Sequence, residues 1–417
     1  MIDRTDAQLA AQYEAYPYPH RDPRDEAKRL IVGSPGHLRE IDHWVFGATR
    51  PASRPLRALI AGGGTGDATI MLAEQMTRDG RPGTVTWLDR SSAALKIAQA
   101  RAAARGLTNI VWERRSLLDL PGSGLGPFDY IDCCGVLHHL PDPAAGVDAL
   151  LSVLAPGGGM GLMAYAPYGR TGIYMIQEGL RLLAPAHEEP AARLDVARRV
   201  MKHLPETAWL RANQSVTDHL QGGDAGLYDL LLNPRDRAYT VPALHELLAA
   251  AGLAITCWVE PIRYDPVPLL PDPRLRARIA TLSGVERATL AEALAGNIAA
   301  HIVYCTRASE PPRRADPLHA AAVPVCRAIT GEDLARTIQA NNTISIGLDA
   351  LRVSVAVPPM AGTILRLIDG RRTVGEIATL LAARGIGAEA FARAWQALFP
   401  ALEGINRLLL AAPDGAP

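Results

Sequence analysis

The sequence predicts an α/β fold, a doubly wound and mostly parallel sheet with a helical lid, followed by a small, mainly helical C-terminal domain. Three observations carry this expectation. Between 56 and 166, short apolar runs alternate with stretches whose apolar residues recur at helical spacing, the pattern of a parallel sheet covered on both faces. A glycine-rich turn follows the first of those runs. A segment rich in proline and charge, SEPPRRADP at 309–317, reads as a linker before the last hundred or so residues.

Taken in order, residues 1–55 read as an N-terminal helical segment covering the active site, with a short helix from Asp6 to Tyr13. The prolines of YPYP at 16–19 must stop that helix, because proline disfavours helix at the residue before it. The strands expected next are 56–62, 84–89, 109–114, 128–135 and 159–166, with Gly157–Gly159 as a turn feeding the fifth. Helices are expected at 67–78, 91–105 and 144–154. A helical insertion follows at about 171–250, placed to form a lid, and 254–261 with 300–307 read as a closing strand pair. The α/β domain is thus assigned to 56–308. The tail, 318–413, is a second domain, where Thr373 and Glu376 form a capping box ahead of a helix carrying Val374, Ile377, Leu380 and Leu381 on one face. Its removal is expected to leave ligand binding in the first domain unchanged.

Bulk properties narrow the function. Of 417 residues, 48% are hydrophobic, and 43 basic residues balance 43 acidic ones. Proteins that live on nucleic acid carry a basic excess or stripe, so a nucleic-acid partner is disfavoured. The five cysteines, at 133, 134, 257, 305 and 326, include no C-x-x-C pair and read as reduced core thiols. No ligand cluster calls for a metal. The start, MIDRTDAQLA, is polar and no run of about 18 apolar residues occurs, so a cytoplasmic protein without a membrane span is expected.

The most informative segment is ALIAGGGTGD, 58–67, where an apolar strand runs into Gly62-x-Gly64-x-Gly66 and a helix begins near Asp67. Glycines permit the tight turn and a close approach of backbone to ligand. The dinucleotide pattern G-x-G-x-x-G does not fit, since its third glycine would fall on Asp67 or Thr69. An acid at the helix start also suits a pyrophosphate poorly, whereas a cationic sulfonium tolerates it. Asp89, closing the second strand, can accept both hydroxyls of a ribose. Ser116, Leu117, Leu118 and Asp119 follow the third strand and can bracket a flat base. CCGVLHHLPDP, 133–143, follows the fourth. Each feature has a plainer reading: a glycine turn occurs in many doubly wound proteins, and an acid ending a strand is often a helix cap.

Together, LIAGGGTGD, WLD, SLLDLP, FDYIDCCGVLHHLPDP and LAPGGGM resemble, in order and spacing, the successive motifs of class I S-adenosylmethionine methyltransferases. The similarity is strong over 56–166 and extends plausibly over 1–307. It implies a Rossmann-like sheet, S-adenosylmethionine as cofactor, and a cofactor-binding set of Gly62, Gly64, Thr65, Gly66, Asp67, Asp89, Arg90, Ser116, Leu117, Leu118 and Cys134. One departure stands out. The first strand ends in Ala61, where many members place an acid, so Asp67 or an N-terminal residue is left to hold the methionine amino group.

For the chemistry, His138 and His139 sit where the transferred methyl should lie, and an imidazole has a suitable pKa for a general base. The plainer reading is that one histidine bonds backbone and the other contacts the cofactor. Asp142 reads as a cap before Pro143. Tyr16, Tyr18, Tyr165, Tyr168, Arg170 and Tyr174 form the expected substrate wall, with Tyr13 and His20 nearby; packing of a helical cover accounts for the same tyrosines equally well. Asp218, His219, Asn233, Arg235, Asp236, Arg237 and Tyr239 form another polar concentration, within which NPRDRAYT, 233–240, reads as a solvated loop that caps the next helix through Thr240. IDGRRTVGEIATLLA, 368–382, resembles winged-helix-like peptide-recognition domains; the simpler and preferred reading is an appendage for homodimerisation or stability. The acceptor expected first is a small molecule, and second a peptide or protein side chain. A nicotinamide-dependent oxidoreductase and a non-catalytic cofactor-binding scaffold are the alternatives of another class.

Overall fold

The computed structural model describes residues 4–412; residues 1–3 of the predicted N-terminal segment and residue 413 of the predicted C-terminal domain lie outside it. Seven strands form the central sheet: β1 (Leu56–Ala61), β2 (Gly83–Asp89), β3 (Ile110–Arg114), β4 (Phe128–Cys134), β5 (Leu154–Tyr165), β6 (Leu253–Trp258) and β7 (Ala300–Arg307). Their spatial order is β3-β2-β1-β4-β5-β7-β6. The first five run parallel, and β7 is antiparallel to both of its neighbours. The order reverses between β1 and β4, which opens a crevice beyond their carboxyl ends.

Strands β1, β2 and β4 are almost wholly buried, as expected of a sheet covered on both faces, while the edge strand β3 is partly exposed. Alternation assigns side chains to opposite layers. Leu59, Ala61, Leu88, Ile131 and Cys133 enter one apolar cluster, while Ala58, Ile60, Val85, Tyr130 and Tyr304 enter the other. The expected turn at Gly157–Gly159 lies inside β5, which already starts at Leu154. The strand is irregular there: Phe128 pairs with Leu154 but Tyr130 with Gly159, so the residues between bulge out, with Gly157 at φ +73°.

The N-terminal helix, Arg4–Ala15, ends before Pro17, and the chain then crosses the glycine turn of β1. Glu14 accepts from the Ser91 hydroxyl (2.8 Å) and the Ser92 amide (3.0 Å), and the Thr65 hydroxyl donates to the Pro19 carbonyl (2.8 Å). Helices Ile173–Leu183, Pro190–His203 and Gly223–Leu232 make up much of the insertion and share an apolar cluster that includes Leu180, Leu194, Leu227 and Leu230. Helix Val241–Ala250 then leads to β6, capped by Thr240, whose hydroxyl accepts from the Ala243 amide.

The C-terminal part pairs β8 (Val323–Cys326) with β11 (Leu408–Ala411) and folds β9 (Thr343–Leu348) onto β10 (Leu351–Ala356) as a hairpin. Helices Val374–Ala382 and Ala388–Gly404 complete it, the first opened by the Thr373–Glu376 capping box. Most of its apolar residues form their own cluster. Val323, Val325 and Leu409, however, join the cluster beneath the central sheet with Leu38, Ile41, Val45 and Tyr304. At this junction Glu40 is fully buried. It accepts hydrogen bonds from Ser34 (2.7 Å), Tyr304 (2.7 Å), Asn406 (2.7 Å) and the Arg327 guanidinium. The tail is thus bonded into the floor of the first domain.

Candidate active site

A cavity of about 1000 Å3 opens at the carboxyl ends of β1, β2 and β4, beneath the N-terminal segment. Its inner end is the glycine turn. Gly62 has φ +82°, and a Cβ there would come within 2.2 Å of Val136 Cγ2, so only glycine fits. Gly64 has φ +47° and donates its amide to Asp89 Oδ2 (2.8 Å), while the Trp87 indole holds its carbonyl (3.0 Å). Asp89 also accepts from the Ser91 amide (2.9 Å). Burial raises the Asp89 pKa above the ordinary carboxylate value, opposed by the Ser91 and Gly64 amides. With four lone-pair sites and two amide donors, this carboxylate keeps acceptor capacity facing the cavity.

Of the residues expected to bind cofactor, Gly62, Gly64, Gly66, Asp67, Asp89, Arg90, Ser116, Leu117, Leu118 and Cys134 all line this one cavity. Thr65 does not; it is buried and tied to Pro19. Asp119 turns away to bond the Ser116 amide in a capping box. Asp67 lines the cavity but is already occupied. Arg21 grips it at 2.6 Å and Arg101 at 2.7 Å. Burial raises its pKa, but these two guanidinia outweigh that effect and hold it below the ordinary range.

The acceptor-side expectations divide. Tyr18, Tyr165, Arg170 and His139 face the cavity. Tyr16 instead stacks on Tyr228 (5.2 Å), and Tyr168 is 43% exposed, away from the cavity. Tyr174 lies behind the wall, accepting from Arg170 Nε (3.0 Å). His138 is fully buried and stacks on Tyr165 with ring centroids 4.0 Å apart. Both its ring nitrogens lack partners, and burial drives its pKa well below 6.5. It packs as a neutral ring out of reach of the cavity. His139 does reach it, with Nδ1 2.6 Å from the Arg235 carbonyl. A carbonyl only accepts, so Nδ1 carries the proton and Nε2 of the neutral ring presents a lone pair.

Two acids stand at the outer end: Asp218, seen in the sequence only as one of a polar concentration, and Asp229, which sequence reasoning missed. Asp229 accepts from Tyr13 (2.9 Å), Tyr165 (3.4 Å) and Asn233 (3.3 Å). Burial, with Asp229 as a second cause, raises the pKa of Asp218. Among the described residues neither carboxylate forms an ion pair; the adjacent Arg170 is committed to Asp236 (2.7 Å). Asp236 belongs to NPRDRAYT, and its side chain is 1% exposed, so that segment is not the solvated loop expected. No local motif marks these acids, which sit on the consecutive helices Asp218–Gln221 and Gly223–Leu232 of the insertion.

The glycine cradle, an unpaired ribose-height carboxylate and a niche walled by Ser116, Leu117 and Leu118 fit a nucleoside bearing a short amino-acid arm. Comparison with known proteins agrees. A methyltransferase-domain family model matches residues 59–160. An uncharacterized protein of Synechococcus sp. is 31% identical over 301 residues, 70% of each chain. The ubiquinone biosynthesis O-methyltransferase of Thiobacillus denitrificans is 32% identical over 157 residues, 38% of this chain and 62% of that one. The chain therefore spans less than two thirds of that enzyme's length. The structure of PKMT2 from Rickettsia typhi in complex with AdoHcy covers 91% of this chain and 75% of its own, with a TM-score of 0.59 at 15% identity, a likeness of fold.

The chain belongs to the class I S-adenosylmethionine-dependent methyltransferases. The nicotinamide-dependent alternative is set aside accordingly.

Proposed function

We propose that the protein transfers the methyl group of S-adenosylmethionine to an amine nitrogen of a small-molecule acceptor. The observation that carries this reading is the pair Asp218 and Asp229, unpaired carboxylates facing a cavity shared with the glycine turn and walled by Tyr13, Tyr18 and Tyr165. Carboxylates without a cationic partner, beside aromatic faces, complement a cation or a protonated amine.

When bound, S-adenosylmethionine supplies an electrophilic methyl on a sulfonium. The chain's own residues do the rest. Gly62 and Gly64 would admit its amino-acid arm, Asp89 would accept from the ribose, and Leu117 and Leu118 would flank the adenine. Asp218 and Asp229 draw the ammonium form of the acceptor into the outer end. An amine attacks only once deprotonated, and His139 Nε2 or Asp218 takes that proton. Burial raises the basicity of Asp218 for this purpose. Holding the two reactants in line supplies roughly 7–11 kcal/mol of the barrier reduction.

The test is transfer of labelled methyl from S-adenosylmethionine into matched panels of amines, phenols and carboxylic acids. Labelling of amines, with Asp218→Asn and Asp229→Asn each raising KM for them, supports the reading. Labelling confined to phenols or acids overturns it.

A further inference from the structure

We infer that Asp132, at the floor of the cavity on β4, is the counter-charge that binds the α-ammonium of the S-adenosylmethionine amino-acid arm. The inference rests on the cofactor assignment and extends it to a residue for which the resemblance implied no role.

The arm ends in an ammonium and a carboxylate, and the ammonium requires an acid near the glycine turn. The acids available can be taken in turn. Asp67 is held by Arg21 and Arg101. Asp89 is bonded to the Gly64 and Ser91 amides beside the ribose position. Asp218 and Asp229 stand at the outer end with the tyrosines. An acid at Ala61 is excluded by the layer it would enter, since Ala61 is fully buried with Leu59, Leu88, Ile131 and Cys133.

Asp132 remains. It lines the cavity next to the glycine turn, and it pairs across the sheet with Ile60, so the two side chains emerge side by side on one face. It is fully buried, yet no arginine, lysine or histidine among the described residues pairs with it. Its Oδ2 takes one hydrogen bond, from the Tyr130 hydroxyl (3.2 Å), and its Oδ1 has no partner. A buried carboxylate oxygen left unpaired costs stability unless something else satisfies it. The closest cover is Gly36, where an added Cβ would lie 2.7 Å from Oδ2. That cover belongs to the segment containing Ser34, which is anchored through Glu40. Burial pushes Asp132 up to about 7, opposed by Tyr130 and the Cys134 amide, a state that an adjacent ammonium would reverse.

The experiment is a calorimetric cycle with S-adenosylhomocysteine and its analogue lacking the α-amino group, run on the wild type and Asp132→Asn. The wild type should prefer the amino form by roughly tenfold or more, the size of a hydrogen bond between charged groups. The variant should lose that preference while keeping its affinity for the deamino analogue. A preference that survives in the variant, or is absent from the wild type, overturns the inference. If neither nucleoside binds the wild type, the cofactor assignment itself fails, which is a different result. Should Asp132→Asn not fold, the wild-type preference is followed from pH 8 to 5. Protonation of Asp132 must shrink it; a constant preference again overturns the inference. The neighbouring titratable groups are Tyr130, Cys133 and Cys134 on β4, Tyr304 on β7, Glu40, and Asp67 beyond the glycine turn. The thiols and Tyr130 and Tyr304 are pushed upward by burial, out of this window.

Discussion

Arg170 lies flat on Tyr165, its guanidinium carbon 3.7 Å from the ring centroid, while Nη2 bonds Asp236 at 2.7 Å. Both partners of that ion pair are nearly inaccessible to solvent. The tyrosine on the acceptor wall is thereby held by a charge that is itself fixed from behind. Arg170→Met should leave Asp236 buried and unpaired, lowering stability by about 3 kcal/mol, as breaking a buried pair does. Urea unfolding measures this, and a loss below about 1 kcal/mol would show that the pair is not the anchor.

Asp132 gives a pH signature in the ligand-free protein. Its pKa is raised to about 7 from 3.8, so the folded state favours the neutral acid. Below both values the group is protonated in either state. Between about pH 4 and 7 the unfolded chain ionises while the folded chain resists, and stability is lost as pH rises, levelling off above 7. Asp132→Asn does not titrate, so its stability relative to wild type should climb through that window, by at most about 4 kcal/mol. Unfolding curves at pH 5, 6, 7 and 8 test this, and parallel profiles for the two proteins contradict it.

Asp89→Ala removes the acceptor of the Gly64 amide as well as the ribose partner. Affinity for S-adenosylhomocysteine should fall at least about tenfold, with circular dichroism unchanged. Near-normal binding would refute the assignment of this carboxylate.

His139→Gln should slow turnover while leaving the S-adenosylhomocysteine Kd within about twofold, since a catalytic base contributes roughly 10²–10⁴ to rate and little to cofactor binding. Equal losses in both quantities would reassign His139 to cofactor binding. His138→Gln should instead destabilise the fold, because that buried ring packs on Tyr165.

Much of the cofactor end was legible because it is local in sequence. The glycine turn, Asp89 and Ser116–Leu118 each follow a strand directly, and caps such as Asp142, Thr240 and Thr373 announce themselves within four residues. Asp132 was read simply as part of a strand, because periodicity says that a position is buried without saying which cavity it floors. Asp229 was missed, and Asp218 was seen only within a polar concentration, for a different reason: a helical pattern does not say which face of the insertion meets the cavity. Tyr16 and Tyr174 illustrate the converse, aromatic residues of the right type engaged by Tyr228 and Arg170 behind the wall, while Tyr168 faces solvent.

Deletion of 318–417 should produce aggregation or loss of S-adenosylhomocysteine binding, because it strips Val323, Val325 and Leu409 from the cluster beneath the sheet. A soluble fragment that binds normally would restore the view of a separable tail.

The Glu40 carboxylate bears on synthesis as well as stability. It gathers donors from Ser34, Tyr304, Arg327 and Asn406, so the segment that roofs Asp132 cannot settle until Asn406 has left the ribosome. A nascent chain that has already completed its seven-stranded sheet at β7 still lacks the Asn406 donor to Glu40, which comes just ahead of β11.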